Sequence, residues 1–438
     1  MSFGLLNFVG KNSKIGLLAS LLFSGSMWFY VQCVLIPFQS NDALVHGYPR
    51  GNLSDLYPRW LGTRELLLHH RNPYSSEITR EIQTGHYGRP LDANRAEDPK
   101  DQQGFAYPVY VAFFLAPTIF FSFAIVKSVF GWFLLVLTGI TVFLWTKMCQ
   151  WKPPAITQAI LLILTLGCFP AVQGMKLQQL SLLVAGLIAI CAVLIVGDNL
   201  LVAGVVLASA TIKPQIVVLL VPWLLIWAVS EWRIRKRFVI GFALAMMALL
   251  VGAQLILPGW IGQFRGALVA YRQYTGASSV LETLNTPLLG KLLAAGLVLT
   301  LIVVCWKTRR ALATSQQFCF TTALVLAVTV TVIPMTAPYN QLLLLPAIYL
   351  TVRNKEFFSR KNPLLLVLSS ICILLILWPW LAAGGLLLAS CVLPAITVQR
   401  AWAVPLYTSL AIPPAVVALL IPNILATLRR APPLIKGL

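Results

Sequence analysis

Apolar runs of about 20 residues recur along the whole chain, and no other feature narrows its fold so far. About 20 apolar residues in a helix cross the ~30 Å hydrocarbon layer of a bilayer. Hydrocarbon offers no partner to an unpaired backbone group, so each run must bond internally, as a helix. Only 11% of the residues are charged and 58% are hydrophobic, with a mean hydropathy of +0.82. A soluble domain carries about 25% charged residues, so this chain could not cover a water-facing surface. The expectation is an all-α, polytopic membrane protein, one transmembrane domain over residues 1–438.

Hydropathy places spans at 15–37, 106–126, 129–146, 155–172 and 180–196, then at 238–257, 288–306, 318–333 and 340–352. Residues 200–229 exceed one simple crossing and are interrupted at Pro214. Residues 363–428 hold two or three more, for a total of 11 to 13. Broken helices are tolerated at membrane depth where they line a protein cavity. No internal repeat is evident.

The net charge of +20 raises nucleic acid as a partner. Its distribution argues otherwise, because the basic clusters are brief, separated and wedged between spans: "RIRKR" from Arg233, "KTRR" from Lys307 and "RNKEFFSRK" from Arg353. Short basic connectors mark the cytoplasmic side. Lys11 and Lys14 precede a first run too long for a signal-peptide core, with no A-x-A site after it, so the N-terminus reads as cytoplasmic. Residues 38–104 then lie outside the cytoplasm, the setting being a bacterial plasma (inner) membrane. A second outer loop runs over 258–287, and a third is "PMTAPYNQ" from Pro334. Between Lys152 and Glu231 the parity stays open. One kinked span over 200–229 puts Gln179 on the cytoplasmic side; two short spans, or a shallow hairpin at 155–172, put Gln179 and Lys213 outside. None of the eight cysteines falls in 38–104, which suits small buried packers better than a disulfide framework.

The loop 38–104 holds nine of the 13 acidic residues: Asp42, Asp55, Glu65, Glu77, Glu81, Asp92, Glu97, Asp98 and Asp101. It also holds all four histidines, His46, His69, His70 and His86. Within "SDLYPRWLGTRELLLHHRNPYS", from Ser54, Pro58 suits a first helical turn. Leu53, Leu56, Tyr57, Trp60, Leu61, Leu67 and Leu68 follow helical spacing. The pattern predicts an amphipathic helix ending near Asn72-Pro73, lying in the membrane interface with Trp60 and Tyr57 as anchors. Asp55 falls at its N-terminus, where the helix dipole favours the ionised carboxylate. There it can serve as a proton acceptor for a bound hydroxyl or as a helix cap. His69 and His70 read as solvated residues at a helix end, with no further ligand at metal-site spacing. Glu97-Asp98-Pro99-Lys100-Asp101 reads as a hydrated loop face, with a cation site as the alternative.

That stretch, followed by "FAYPVYVAFFLAP" from Phe105, "LQQLSLLVAG" from Leu177 and "IKPQ" from Ile212, resembles one membrane glycosyltransferase family. It is the polyprenyl-phosphate-mannose-dependent branch of the GT-C superfamily, of the mycobacterial phosphatidylinositol-mannoside mannosyltransferase type. The family pattern has an Asp and an aromatic after the first span, a helix ending in a Gly/Asn-x-Pro-Tyr-like turn, a Tyr-Pro, a Gly-Gln-x-Asn/Ser element and a Lys-Pro. The resemblance covers roughly 54–232; the C-terminal half matches only in hydropathy. It implies an inverting transfer of a hexose, mannose being the family's usual sugar, from a polyprenyl-phosphate sugar to a hydroxyl of a glycolipid or glycan acceptor. Asp55 would be the catalytic base; Tyr57, Arg64 and Tyr74 would share its outer wall, and Tyr107 would sit at the mouth of the second span. Gln179 and Ser181 match the Gly-Gln-x-Asn/Ser element, with Gln178 standing where the family has glycine. Lys213 matches the Lys-Pro position, near the lipid phosphate.

In such a reaction negative charge develops on the leaving phosphate, which Lys or Arg can stabilise. Lys213, Arg265 and Arg272 are the candidates, lysine in an apolar segment being costly unless it is paired or lines a cavity. No Asp-x-Asp pair, P-loop or Gly-rich dinucleotide fingerprint occurs. A lipid-monophosphate donor with no metal or other cofactor is therefore expected, with membrane lipid as surroundings. The competing function is a transporter or flippase of a lipid-linked sugar, which explains Lys213 and Pro214 as a midplane site but not the long ionisable loop.

Overall fold

The computed structural model describes residues 13–47, 54–92, 94–275, 278–354 and 363–429, and among these the regular structure is all helical. Lys11, Leu53 and most of the connector after Arg353 lie outside the described residues. Six helices are long and apolar enough to cross a membrane: Lys14–Val45, Phe123–Met148, Trp232–Ile256, Pro287–Thr308, Leu366–Ser390 and Ala395–Leu425. A seventh crossing results if Ala155–Leu166 and Phe169–Lys176, bent by 49° at their junction, count as one span. The polytopic helical class is thus shown, with fewer full-length spans than the 11 to 13 expected. Three of the missing spans fall on four apolar helices of 10–17 residues: Leu200–Ala210 and Leu220–Val229, which share one expected span, with Leu180–Val196 and Gln316–Val332; the expected span 340–352 is a 3-10 turn, Pro338–Leu344, and a nine-residue helix, Leu345–Arg353. At 1.5 Å per residue these reach about 15–26 Å, short of the ~30 Å hydrocarbon layer.

Two boundaries move, each because of proline. The first helix does not stop at Pro37 but continues to Val45. The turn before it, Tyr30–Leu35, is π-wound, and this wider winding accommodates a residue with no N–H and a bulky ring. The loop therefore begins near His46 rather than at Phe38. Residues 106–126, expected to cross, do not. Pro108 and Pro117 interrupt them, leaving a five-residue helix, Val111–Leu115, and a 3-10 turn, Ala116–Thr118. The first half of the segment faces protein instead of lipid: Phe105, Val109, Tyr110 and Leu115 are buried in one core with Leu56, Trp60, Ile78 and Ile82 of the loop, while Phe120 and Phe121 stay exposed.

The loop folds onto the spans as a pair of helices, Tyr57–His69 and Ser76–Tyr87. Asn72 accepts the Tyr74 N–H at 3.0 Å in an Asx turn around Pro73. Ser75 then caps the second helix by accepting from Ile78 N at 3.2 Å. The first helix does not lie on the molecule as an interfacial anchor. Trp60 is 4% exposed, its indole N–H donates to Thr118 O at 3.3 Å, and its ring packs with those of Tyr57 and Phe123. Tyr57 leans directly on Gly85 of the second helix, where any side chain would collide with its ring. The expected lipid anchors are thus core residues, because helical spacing reports an apolar face without saying what covers it.

Much of the loop's charge ties this pair together. Arg71 binds Glu65 at 2.7 Å, Glu77 at 2.9 Å and also Glu81, while Glu65 holds His69 at 3.0 Å. Arg89 binds Asp98 at 2.5 Å and holds its carboxyl well below the usual range.

The helix Phe123–Met148 sets the long axis. It starts against Tyr57 and Trp60 and ends about 39 Å away, by its 26 residues. At that far end the basic connectors meet. Gln150 donates to Thr314 O at 2.7 Å, and Arg353 bonds Cys149 O. The buried Arg235 donates to Trp227 O at 2.8 Å and Ala311 O at 2.9 Å. Helices Leu200–Ala210 and Trp232–Ile256 touch backbone to backbone at Gly204 and Gly241, as small residues permit in a membrane.

Candidate active site

Site construction starts where the loop meets the spans. The Asp55 N–H donates to Leu177 O at 3.0 Å. Ser54 Oγ pairs with Gln178 Oε1 at 2.7 Å and accepts from Leu56 N at 3.2 Å. Ser54 thus serves the helix start, and the Asp55 carboxylate caps nothing. Gln178 sits at φ +47°, the left-handed region that favours glycine. Its side chain compensates, donating to Met175 O at 2.6 Å while meeting Ser54.

Across that contact the polar groups form a directed chain. Gln179 Nε2 donates to Asp55 Oδ2, and Gln179 Oε1 accepts from Lys213 Nζ at 3.2 Å. Lys213 Nζ also donates to Ser181 Oγ at 2.5 Å, and the Ser181 hydroxyl donates to Asn340 Oδ1 at 2.8 Å. Gln179, Ser181, Lys213 and Asn340 are all buried, Lys213 at 2% exposure. Pro214 explains the placement of Lys213. A residue before proline is driven out of the α region, so the helix ends at Ala210, Lys213 takes φ −125° and ψ 77°, and its amine turns inward.

Asp55, Gln179 and Lys213 face one cavity of about 390 Å³. Arg59, Asp101, Gln103, Tyr107, Gln215, Tyr271, Arg272 and Tyr339 line it as well, with an apolar rim of Val218, Leu268, Ile333, Pro334 and Met335. Gln179 and Lys213 therefore lie at the loop's end of the molecule, away from the basic connectors. That arrangement requires the broken-span treatment of 155–229. Arg59 donates to Asp55 O at 2.9 Å, and its guanidinium lies 4.6 Å from the centre of the Tyr107 ring. Burial pushes the Asp55 carboxyl above the usual carboxylate range, as does the charge of Asp101; Arg59, Lys213 and the Gln179 bond pull the other way without cancelling it. A raised, cavity-facing carboxylate with a cation partner is a candidate acid–base group.

The remaining sequence candidates stand behind the cavity or apart from it. Tyr74 donates to Tyr107 O at 2.6 Å and so fixes that wall without reaching the cavity. Tyr57 is packed on Phe123 and Gly85. Arg64 lies over the Trp60 ring, and Arg265 is exposed away from the lining. Sequence reasoning missed Arg59, Asp101, Gln103, Tyr271 and Tyr339. For Arg59 a signal existed, since it follows Asp55 by four residues, one helical turn. His86 is buried next to Arg59, and burial first, then the Arg59 charge, lowers it to about 4, so its ring is neutral at neutral pH. Among the described residues no group of three or more His, Cys, Asp or Glu side chains could hold a metal ion. The chain matches no protein-family model, no curated protein and no solved structure.

Proposed function

We propose that this protein is a membrane glycosyltransferase that moves a hexose from a polyprenyl-phosphate sugar to an acceptor hydroxyl, with inversion at the anomeric carbon. The observation that carries the reading is the chain Asp55–Gln179–Lys213, which sets a base and a cation on one cavity with a single amide between them. In the reaction Asp55 takes the proton of the acceptor hydroxyl as that oxygen bonds the anomeric carbon. The bond from that carbon to the phosphate oxygen breaks, and its electron pair leaves with the phosphate. Lys213 and Arg59 stabilise the charge that gathers there. The apolar rim at Val218, Leu268 and Ile333 suits the first isoprene units of the donor. Mannose is the sugar favoured by the sequence resemblance, and a glycolipid or glycan is the acceptor class.

A transporter of a lipid-linked sugar is the second reading, favoured by the break at Lys213-Pro214 within an apolar stretch. Sugar transfer separates the two. The purified protein in detergent, given polyprenyl-phosphate mannose and a lipid extract, should form a new glycolipid. Donor binding without any product would favour transport.

A further inference from the structure

We infer that the turn Asp101–Gln103 is the sugar-binding wall of this cavity, and that Asp101 selects a neutral hexose by accepting hydrogen bonds from its hydroxyls. The inference rests on the glycosyltransferase reading and adds to it the residues that would choose the sugar.

The donor has three chemically distinct parts, and the cavity lining divides in the same way. Arg59, Lys213 and Arg272 are cationic, Val218, Leu268, Ile333, Pro334 and Met335 are apolar, and Asp101 with Gln103 offers carboxylate and amide. A phosphate next to the Asp101 carboxylate would be repelled, and an isoprene chain would desolvate it with nothing in return. The polyhydroxyl ring is the part that remains. It is also the part that fits, because an ionised carboxylate accepts about four hydrogen bonds, of which Gln103 takes two. Formal charge balance then favours one kind of sugar. Three cations against the two carboxylates Asp55 and Asp101 leave the lining one positive charge in excess, which the single negative charge of a phosphodiester cancels. A cationic amino sugar would leave the excess in place, and a second phosphate would overshoot it.

The turn is held for such a task. Gln103 sits at φ +50°, and Asp101 secures that conformation by accepting the Gln103 N–H on Oδ1 at 3.0 Å and its side-chain amide on Oδ2 at 2.9 Å. The neighbouring helix Ser76–Tyr87 fixes it from behind: Tyr87 OH donates to Asp101 O at 2.8 Å, and Gln83 Nε2 donates to Gln102 O at 3.1 Å. Asp101 and Asp55 line the same cavity of about 390 Å³, so a ring held on this wall shares the space that the base faces.

The test compares two synthetic ligands, polyprenyl-phosphate mannose and sugar-free polyprenyl phosphate, with binding measured separately from transfer on the full-length protein in detergent. Asp101→Asn keeps the Oδ1 acceptor that supports Gln103 but is neutral. It should weaken binding of the mannosylated ligand roughly 10–100-fold, the range for a lost charged hydrogen bond, and change affinity for the sugar-free lipid less than about threefold. Gln103→Asn, which tolerates positive φ, should give a smaller loss of the same pattern. Unchanged affinity for the mannosylated lipid, or an equal loss for both ligands, would overturn the assignment. Sugar selectivity in binding with no transfer by the parent protein would leave the wall in place and count against the transferase reading instead.

Discussion

Arg71 with its three glutamates and Asp55 with its relay both engage carboxylates of one loop, and they differ in what surrounds them. Glu77 and Glu81 are 74% and 41% exposed where they meet Arg71. Lys213, at the centre of the other cluster, is 2% exposed and hydrogen-bonded on two sides. Exposed ion pairs contribute about 0–1 kcal/mol each, whereas stranding one partner of a buried polar group costs about 3–5 kcal/mol. The acidic richness of the loop is therefore a poor guide to where its chemistry lies. Glu65, Glu77 and Glu81 hold two helices together through Arg71, and of the loop's nine carboxylates only Asp55 and Asp101 line the cavity.

Apart from the base itself, the largest effect on activity should come from Lys213. Lys213→Ala should weaken binding of sugar-free polyprenyl phosphate roughly 10–100-fold, by loss of a charged contact, while Lys213→Arg keeps part of it. Titration of the lipid against each variant reads this, and equal affinities would remove Lys213 from the phosphate site. Next, Gly85→Ala should destabilise the loop by about 1–3 kcal/mol, because the added methyl strikes Tyr57. Thermal melting would show it, and an unchanged midpoint would mean that Tyr57 moves freely.

Burial raises Asp55, and from that direction the sign of a pH effect follows. A carboxyl raised on folding favours the folded state while protonated, and that contribution is lost as the pH rises through its folded pKa. Asp55→Asn should therefore melt higher than the parent protein at neutral pH, with the gap closing as the pH falls from the raised pKa of Asp55 towards the ordinary carboxylate range. A gap that widens on acidification would reverse the assigned shift. The smallest effect on activity belongs to the Arg71 cluster: Arg71→Ala removes ion pairs to Glu77 and Glu81 that water screens and should leave turnover near that of the parent. A loss of turnover comparable to that of Lys213→Ala would erase the contrast between the clusters.

The membrane class and most helix positions were legible in the sequence because apolar length is a local property. Leu180–Val196 falls where its run predicts, and the break at Pro214 was visible as a proline inside an apolar stretch. Residues 106–126 misled for the same reason, since hydropathy cannot tell a lipid-facing run from one buried under two loop helices. Within the site, Asp55, Gln179 and Lys213 were reached through motif order, and the structure brings those three onto one cavity. Asp101, Tyr271 and Tyr339 were not, because each joins the cavity through packing between segments far apart in the chain. Asn340 illustrates the point: its "PYNQ" reads as a short outer loop, and its carbonyl ends the relay from Asp55.

The central claim is that Asp55 removes the acceptor proton, and turnover of Asp55→Asn tests it most directly. The substitution keeps size and leaves the helix start to Ser54, but the amide cannot accept a proton at neutral pH. With parent and variant compared at matched folded concentration, on polyprenyl-phosphate mannose and a lipid extract, the expected result is a fall of roughly 10²–10⁴-fold, as for loss of a general base. Turnover within about threefold of the parent, against that scale, would contradict it.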